Sequence, residues 1–164
     1  MFAFLDPGRL VDGELSLELA ETRPWILGSW QVPAYIFHMK REGVLEPVGR
    51  ISLRVGDTDF LRLYAGHIGY DVAEAHRGNR FAARAVTLLI PLARRHGLEE
   101  LWITCNPENT ASWRTCEILG AEYVETVPTP EDTEMFKRGS THKRRYRLVV
   151  PQIIGEHDPT TALP

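Results

Sequence analysis

The sequence predicts an α/β (α+β) fold, with a mixed, mostly antiparallel central sheet of about seven strands and helices on both faces. Three observations lead there. Short alternating or apolar runs fill the chain as far as Val72. Two stretches of helical periodicity then follow, each bracketed by strand-like runs. Hydrophobic residues make up 43% and charged residues 25%, ordinary proportions for a globular domain.

Leu15 to Glu21 reads Leu-Ser-Leu-Glu-Leu-Ala-Glu, the alternation of a half-buried strand. A turn region with Pro24, Gly28 and Pro33 separates it from the next pair, Ala34–Arg41 and Val44–Val55. These join around Glu42-Gly43 as a hairpin. Gly56-Asp57-Thr58-Asp59 signals another turn. Leu61 to Val72 reads as a strand with Gly66 and Gly69 as points of bulge or close approach.

The period changes at residue 79. Phe81, Ala82, Ala85, Leu88, Leu89, Leu92 and Ala93 recur at helical spacing, and Gly97 stands where a helix stops. Pro91 interrupts that pattern. It costs about 3 kcal/mol in a helix interior, so a kink or an early end is expected there. Leu98–Cys105 is a buried strand. Asn106 and Pro107 have the residue types of a helix cap and first helical position, and Leu119-Gly120 those of a helix end. Glu122–Val127 and Lys143–Val150 are the last strands, joined by the polar link Pro128–Thr141. Residues 1–150 are expected to form one domain, and 151–164 a flexible tail.

The net charge of −3 removes the cationic surplus that broad nucleic-acid binding requires. Two cysteines, Cys105 and Cys116, make neither a disulfide framework nor a metal-ligand pattern, so no metal is expected. The first residues lack a signal peptide's basic and apolar regions, and no window has the ~18 apolar residues of a membrane span. A cytoplasmic setting without membrane or nucleic-acid partners is the expectation, as monomer or as homodimer through a shared sheet edge.

The most informative stretch is Tyr70-Asp71-Val72 followed by His76-Arg77-Gly78-Asn79-Arg80-Phe81-Ala82. A strand ends, a short turn carries glycine and arginine, and a helix opens. Its first amides have no partner, and together with the helix dipole they attract phosphate oxygens. Arginines at a helix start oppose the dipole, which argues for an anion between them.

These residues, with Asn106-Pro107-Glu108-Asn109-Thr110-Ala111-Ser112 and Cys116-Glu117-Ile118-Leu119-Gly120-Ala121, resemble the GCN5-related N-acetyltransferase (GNAT) superfamily over roughly residues 45 to 127. The resemblance implies that the strand at Tyr70, Asp71 and Val72 pairs with the pantetheine arm of acetyl-CoA. It also implies that Arg77, Gly78, Asn79, Arg80, Phe81 and Ala82 hold the pyrophosphate, with Asn106, Asn109 and Ser112 nearby. The family's loop pattern is Arg/Gln-x-x-Gly-x-Gly/Ala, and Arg80 stands where glycine is usual. A side chain is tolerable there if the backbone stays helical.

Many relatives carry a tyrosine at the position of Cys116 to protonate the departing thiolate. Here the thiol of Cys116 supplies that proton or is simply a small buried side chain; Ser112 is the other candidate, and water a third. His67, Asp71 and Glu125 are the candidate bases for the incoming amine, His67 being also a plain structural strand residue. Arg144-Arg145-Tyr146-Arg147 reads as a solvated outer strand face with Tyr146 inward. Trp25, Trp30, Tyr35 and Phe37 suggest an apolar wall for the acceptor or, equally, core.

The function implied is direct transfer of an acetyl group from acetyl-CoA, as co-substrate, to a primary amine of a small molecule, peptide or protein. The alternative is a catalytically weak acyl-CoA-binding sensor or scaffold. In this family the early strands and the loop between Thr22 and Pro33 here would choose the acceptor.

Overall fold

The computed structural model describes residues 1–152; the expected tail falls almost wholly outside that range. One sheet of eight strands runs in the order β1-β2-β3-β4-β5-β6-β8-β7. The strands are β1 Leu10–Asp12, β2 Leu15–Arg23, β3 Ala34–Arg41, β4 Gly49–Arg54, β5 Ile68–Val72, β6 Glu100–Cys105, β7 Glu122–Pro128 and β8 His142–Val149. Every neighbouring pair is antiparallel except β5 and β6.

Pleat alternation gives the sheet two unlike faces. Tyr35, Phe37, Ile51, Leu53, Ile68, Leu101, Ile103 and Tyr146 build the core on one. Helix α1, Phe81–Arg95, covers this face with Ala85, Val86, Leu89, Leu92 and Ala93, all essentially inaccessible. Helix α2, Thr110–Ile118, adds Cys116 to the same core. Over the opposite face lies a π-helical turn, Leu61–Ala65: Thr104 Oγ1 donates to Tyr64 O at 2.7 Å, and Arg145 Nε donates to Arg62 O at 3.1 Å.

Several boundaries differ from the sequence reading. The expected strand Leu61–Val72 is split, because Leu61–Ala65 winds into the π turn and Gly66, at φ 72°, reverses the chain. A Cβ on Gly66 would sit 3.0 Å from Trp102 O, so the glycine also permits close approach. Strand β4 begins at Gly49 rather than Val44, and β1 has no counterpart in the sequence reading. α1 runs unbroken through Pro91. Both Pro91 and Thr87, whose carbonyl loses its partner there, lie on the exposed side of the helix. The glycine stops stand: Gly97 and Gly120 take φ 77° and 73°. A short helix α3, Glu134–Lys137, interrupts the link before β8.

Candidate functional site

β5 and β6 share a single register pair, Ile68 with Ile103, and then part. Alternation along β5 turns the backbone of residues 69 and 71 toward β4, as the flanking bonds Arg54 N–H to His67 O and Ala73 N–H to Val48 O show. The backbone groups of Tyr70 and Val72 therefore face the gap. Arg77 Nε fills part of it by donating to Val72 O at 3.0 Å.

Three cavities meet at this notch. The first, about 310 Å³, runs from Tyr70 and Val72 between the 77–82 loop and the start of α2. The second, also about 310 Å³, occupies the notch itself, against Tyr64, Cys105, Asn106, Asn109, Ser112 and Lys143. The third, about 350 Å³, opens on the face of the sheet opposite α1, beside Trp30, Arg50, Ser52, Arg54 and Asp71. Tyr70 borders all three.

The phosphate-sized end is built by the loop before α1. Among the described residues, no backbone N–H from 78 to 83 donates to a protein acceptor, leaving successive amides and the positive helix end directed at one cavity. Arg77, Arg80 and Arg114 line it. Gly78 turns at φ 87°. Arg80 caps α1 in the left-handed region, φ 56° and ψ 27°. This corrects the expectation of a helical backbone at Arg80: the arginine adopts the conformation for which glycine is the natural choice. Phe81 contributes backbone only, since its ring is buried beneath the guanidinium of Arg41 and Arg84. Asn79 braces the turn, its Nδ2 donating to His76 O at 3.0 Å.

At the notch, Tyr70 Oη lies 3.0 Å from both the carbonyl and the Oγ of Ser112, and 3.9 Å from Cys116 Sγ. One arrangement satisfies all the donors: the phenol donates to the carbonyl, and the serine hydroxyl donates to the phenol oxygen. Burial pushes the Tyr70 phenol well above its ordinary range. Burial likewise pushes the Cys116 thiol up to about 12. Ser112 borders two cavities, whereas Cys116 is fully buried behind Tyr70. The cap of α2 is Asn109, whose Oδ1 accepts from Ser112 N–H at 3.2 Å, and not Asn106 as the sequence suggested. Asn106 is instead held by β8, accepting from Lys143 Nζ at 2.9 Å. Burial lowers the Lys143 ammonium's pKa.

His67 is not brought into the notch. Its Nδ1 accepts from Trp102 N–H at 2.8 Å, so Nε2 carries the proton and donates to Gly56 O at 2.9 Å. Burial lowers its pKa, favouring the neutral ring. Glu125 pairs with Arg145, which is buried and not part of a solvated face. Tyr35 and Phe37 belong to the core, while Trp30 stacks on Phe60 at 5.0 Å and borders two cavities. Sequence reasoning missed Arg54 and Lys143. The polar alternation Arg50-Ser52-Arg54 was the available signal for the first.

The model of the Acetyltransferase (GNAT) domain family matches residues 6–122, well over half of the chain. The chain belongs to the GNAT acetyltransferase family. A search of curated proteins returns no significant match. Among solved structures, a putative ribosomal-protein-serine acetyltransferase from Vibrio cholerae superposes with a TM-score of 0.63 at 18% identity, covering 88% of this chain and 99% of that one. A microcin self-immunity acetyltransferase solved with acetyl-CoA and AMP gives 0.55 at 20%, covering 71% and 61%. A ribosomal-protein alanine acetyltransferase from Vibrio fischeri gives 0.57 at 17%, covering 71% and 62%. The chain thus spans about three fifths of the length of these last two, and at such identities the likeness is one of fold. Among the described residues, no helix is long and apolar enough to cross a membrane.

Proposed function

We propose that this protein transfers an acetyl group from acetyl-CoA to a primary amine by direct attack in a ternary complex. The observation that carries the reading is the run of unpartnered amides from 78 to 83 facing the same groove as the open backbone of Tyr70. Pyrophosphate on the loop amides and Arg77 or Arg80 leaves the pantetheine arm along β5, with the thioester at Tyr70 and Ser112. The solved relative bound to acetyl-CoA supports the choice of co-substrate.

The amine nitrogen attacks the thioester carbonyl from the third cavity, forming the C–N bond. The carbonyl oxygen is polarised by backbone N–H at the open edge of β5. The C–S bond then breaks, and the thiolate takes a proton through Ser112 Oγ, which turns its hydrogen from Tyr70 Oη to the sulfur and takes one back from water in the notch. Cys116 backs the tyrosine and is fully buried. Asp71, exposed where the first and third cavities meet, is the carboxylate best sited to receive the proton of the amine. Neighbours of the same fold that are described as acetylating the α-amine or N-terminal serine of a ribosomal protein put peptide N-termini first among acceptors to try.

Calorimetric titration with acetyl-CoA, followed by thiol release across amines, polyamines and peptide N-termini, tests this. Micromolar binding with amine-dependent thiol release is expected; no binding at millimolar acetyl-CoA would sink it. Binding without release over the whole panel would favour a sensor instead, a reading kept in view by the burial of Cys116.

A further inference from the structure

We propose that the acceptor carries an anionic group, a carboxylate or a phosphate, which the Arg54 guanidinium receives at the open-face end of the notch. This rests on the acetyl-transfer reading and specifies its acceptor. Arg54 ends β4 on the sheet face opposite the core and borders both the notch and the open-face cavity. Its Nη1 donates to Ala65 O at 3.2 Å and Gly66 O at 3.1 Å, which fixes the plane of the fork over Gly69. Nη2 and Nε make no hydrogen bond within the protein, and no carboxylate pairs with the group, among the described residues. A half-buried guanidinium held by two carbonyls, with two donor groups left open to a cavity, is built to receive a planar or tetrahedral oxyanion.

The surroundings agree. Arg50 lines the same cavity and forms no ion pair among the described residues, and Arg23 stands at its rim, held by Glu21 at 2.8 Å. Asp71, opposite Arg50 in the β4–β5 register, is the cavity's carboxylate. Positive charge at Arg54 and negative charge at Asp71 match an acceptor with an anion and an amine a few bonds apart. These cations are surplus to the cofactor's needs, because the phosphate end is served by Arg77, Arg80 and Arg114 on the far side of Tyr70.

Two matched pairs test the proposal: β-alanine against β-alaninamide, and phosphoethanolamine against ethanolamine. Each is titrated calorimetrically into the protein with and without CoA, and each is assayed for thiol release from acetyl-CoA. The member of at least one pair that carries the oxyanion should bind about tenfold more tightly than the partner that lacks it, and which pair shows it separates carboxylate from phosphate. Arg54→Gln should collapse that ratio toward one. Arg54→Lys, which keeps the charge and loses the fork, should retain part of it, and serves if the glutamine variant fails to fold. Equal or undetectable binding of both members in both pairs overturns the proposal, as does an unchanged ratio in a folded Arg54→Gln protein. Failure of acetyl-CoA to bind would instead overturn the acetyl-transfer reading, while the titrations without CoA still report on the anion site.

Discussion

Replacing Arg80 separates two roles that the residue combines. In the left-handed region a non-glycine residue costs about 1 kcal/mol or slightly more, and its exposed guanidinium makes no hydrogen bond to the protein among the described residues. Arg80→Gly and Arg80→Ala remove the same cation, yet only glycine relieves the backbone. Glycine also caps a helix better than alanine, which acts in the same direction. The glycine variant should therefore melt about 2–4 °C above the alanine variant, the shift expected of ~1 kcal/mol in a domain of this size. Glycine's greater freedom in the unfolded chain subtracts from that gain, so the difference between the variants is more telling than either against the parent. Both should bind acetyl-CoA about five- to tenfold more weakly, by the loss of one charge-assisted contact to phosphate. Scanning calorimetry and titration calorimetry read the two effects independently. Equal melting temperatures would refute the backbone argument, and unchanged affinity would refute the placement of phosphate beside Arg80.

Ser112→Ala should lower turnover about a hundredfold while holding acetyl-CoA affinity within about twofold, measured by thiol release and calorimetry; a loss confined to affinity would contradict the proton-donor role. Burial depresses the pKa of His67 below its ordinary 6.5, so below that pH the unfolded chain takes up a proton that the folded chain refuses. Stability should thus be full above about pH 6.5 and fall as the pH drops further. His96, shifted the same way by burial, contributes too. His67→Gln should flatten part of the melting-temperature profile between pH 7.5 and 5. Gly66→Ala, at φ 72° with its Cβ 3.0 Å from Trp102 O, should destabilise by about 2 kcal/mol, visible as a lower urea midpoint.

The sequence was most readable where local rules operate. Gly97 and Gly120 end their helices because only a left-handed residue closes them there, and the turn before α1 leaves its amides without protein acceptors, as a strand–turn–helix junction should. It was least readable where the decisive partner is remote. The Tyr70 hydroxyl finds Ser112 across 42 residues of chain, so nothing near Tyr70 marks it as part of a proton-bearing cluster. Arg54 resembled any polar strand residue until Ala65 and Gly66 folded over it. The three residues of β1 are too few to show alternation, and the turn at Leu61–Ala65 carried enough apolar residues to pass for a strand. Pro91 shows the opposite failure: the local penalty is real, yet the helix runs on where both Pro91 and Thr87 lie on its exposed side.

The parting of β5 and β6 bears on a general hazard of sheets. A strand with idle amides and carbonyls is an invitation to another chain, and proteins ordinarily bury or blunt such edges. Here the idle edge lies inside the sheet, flanked by α2 and the 77–82 loop, and not at its rim. The opening between the strands is thus an unpaired edge that the fold keeps away from the rim of the sheet, beside the cavities that border Tyr70.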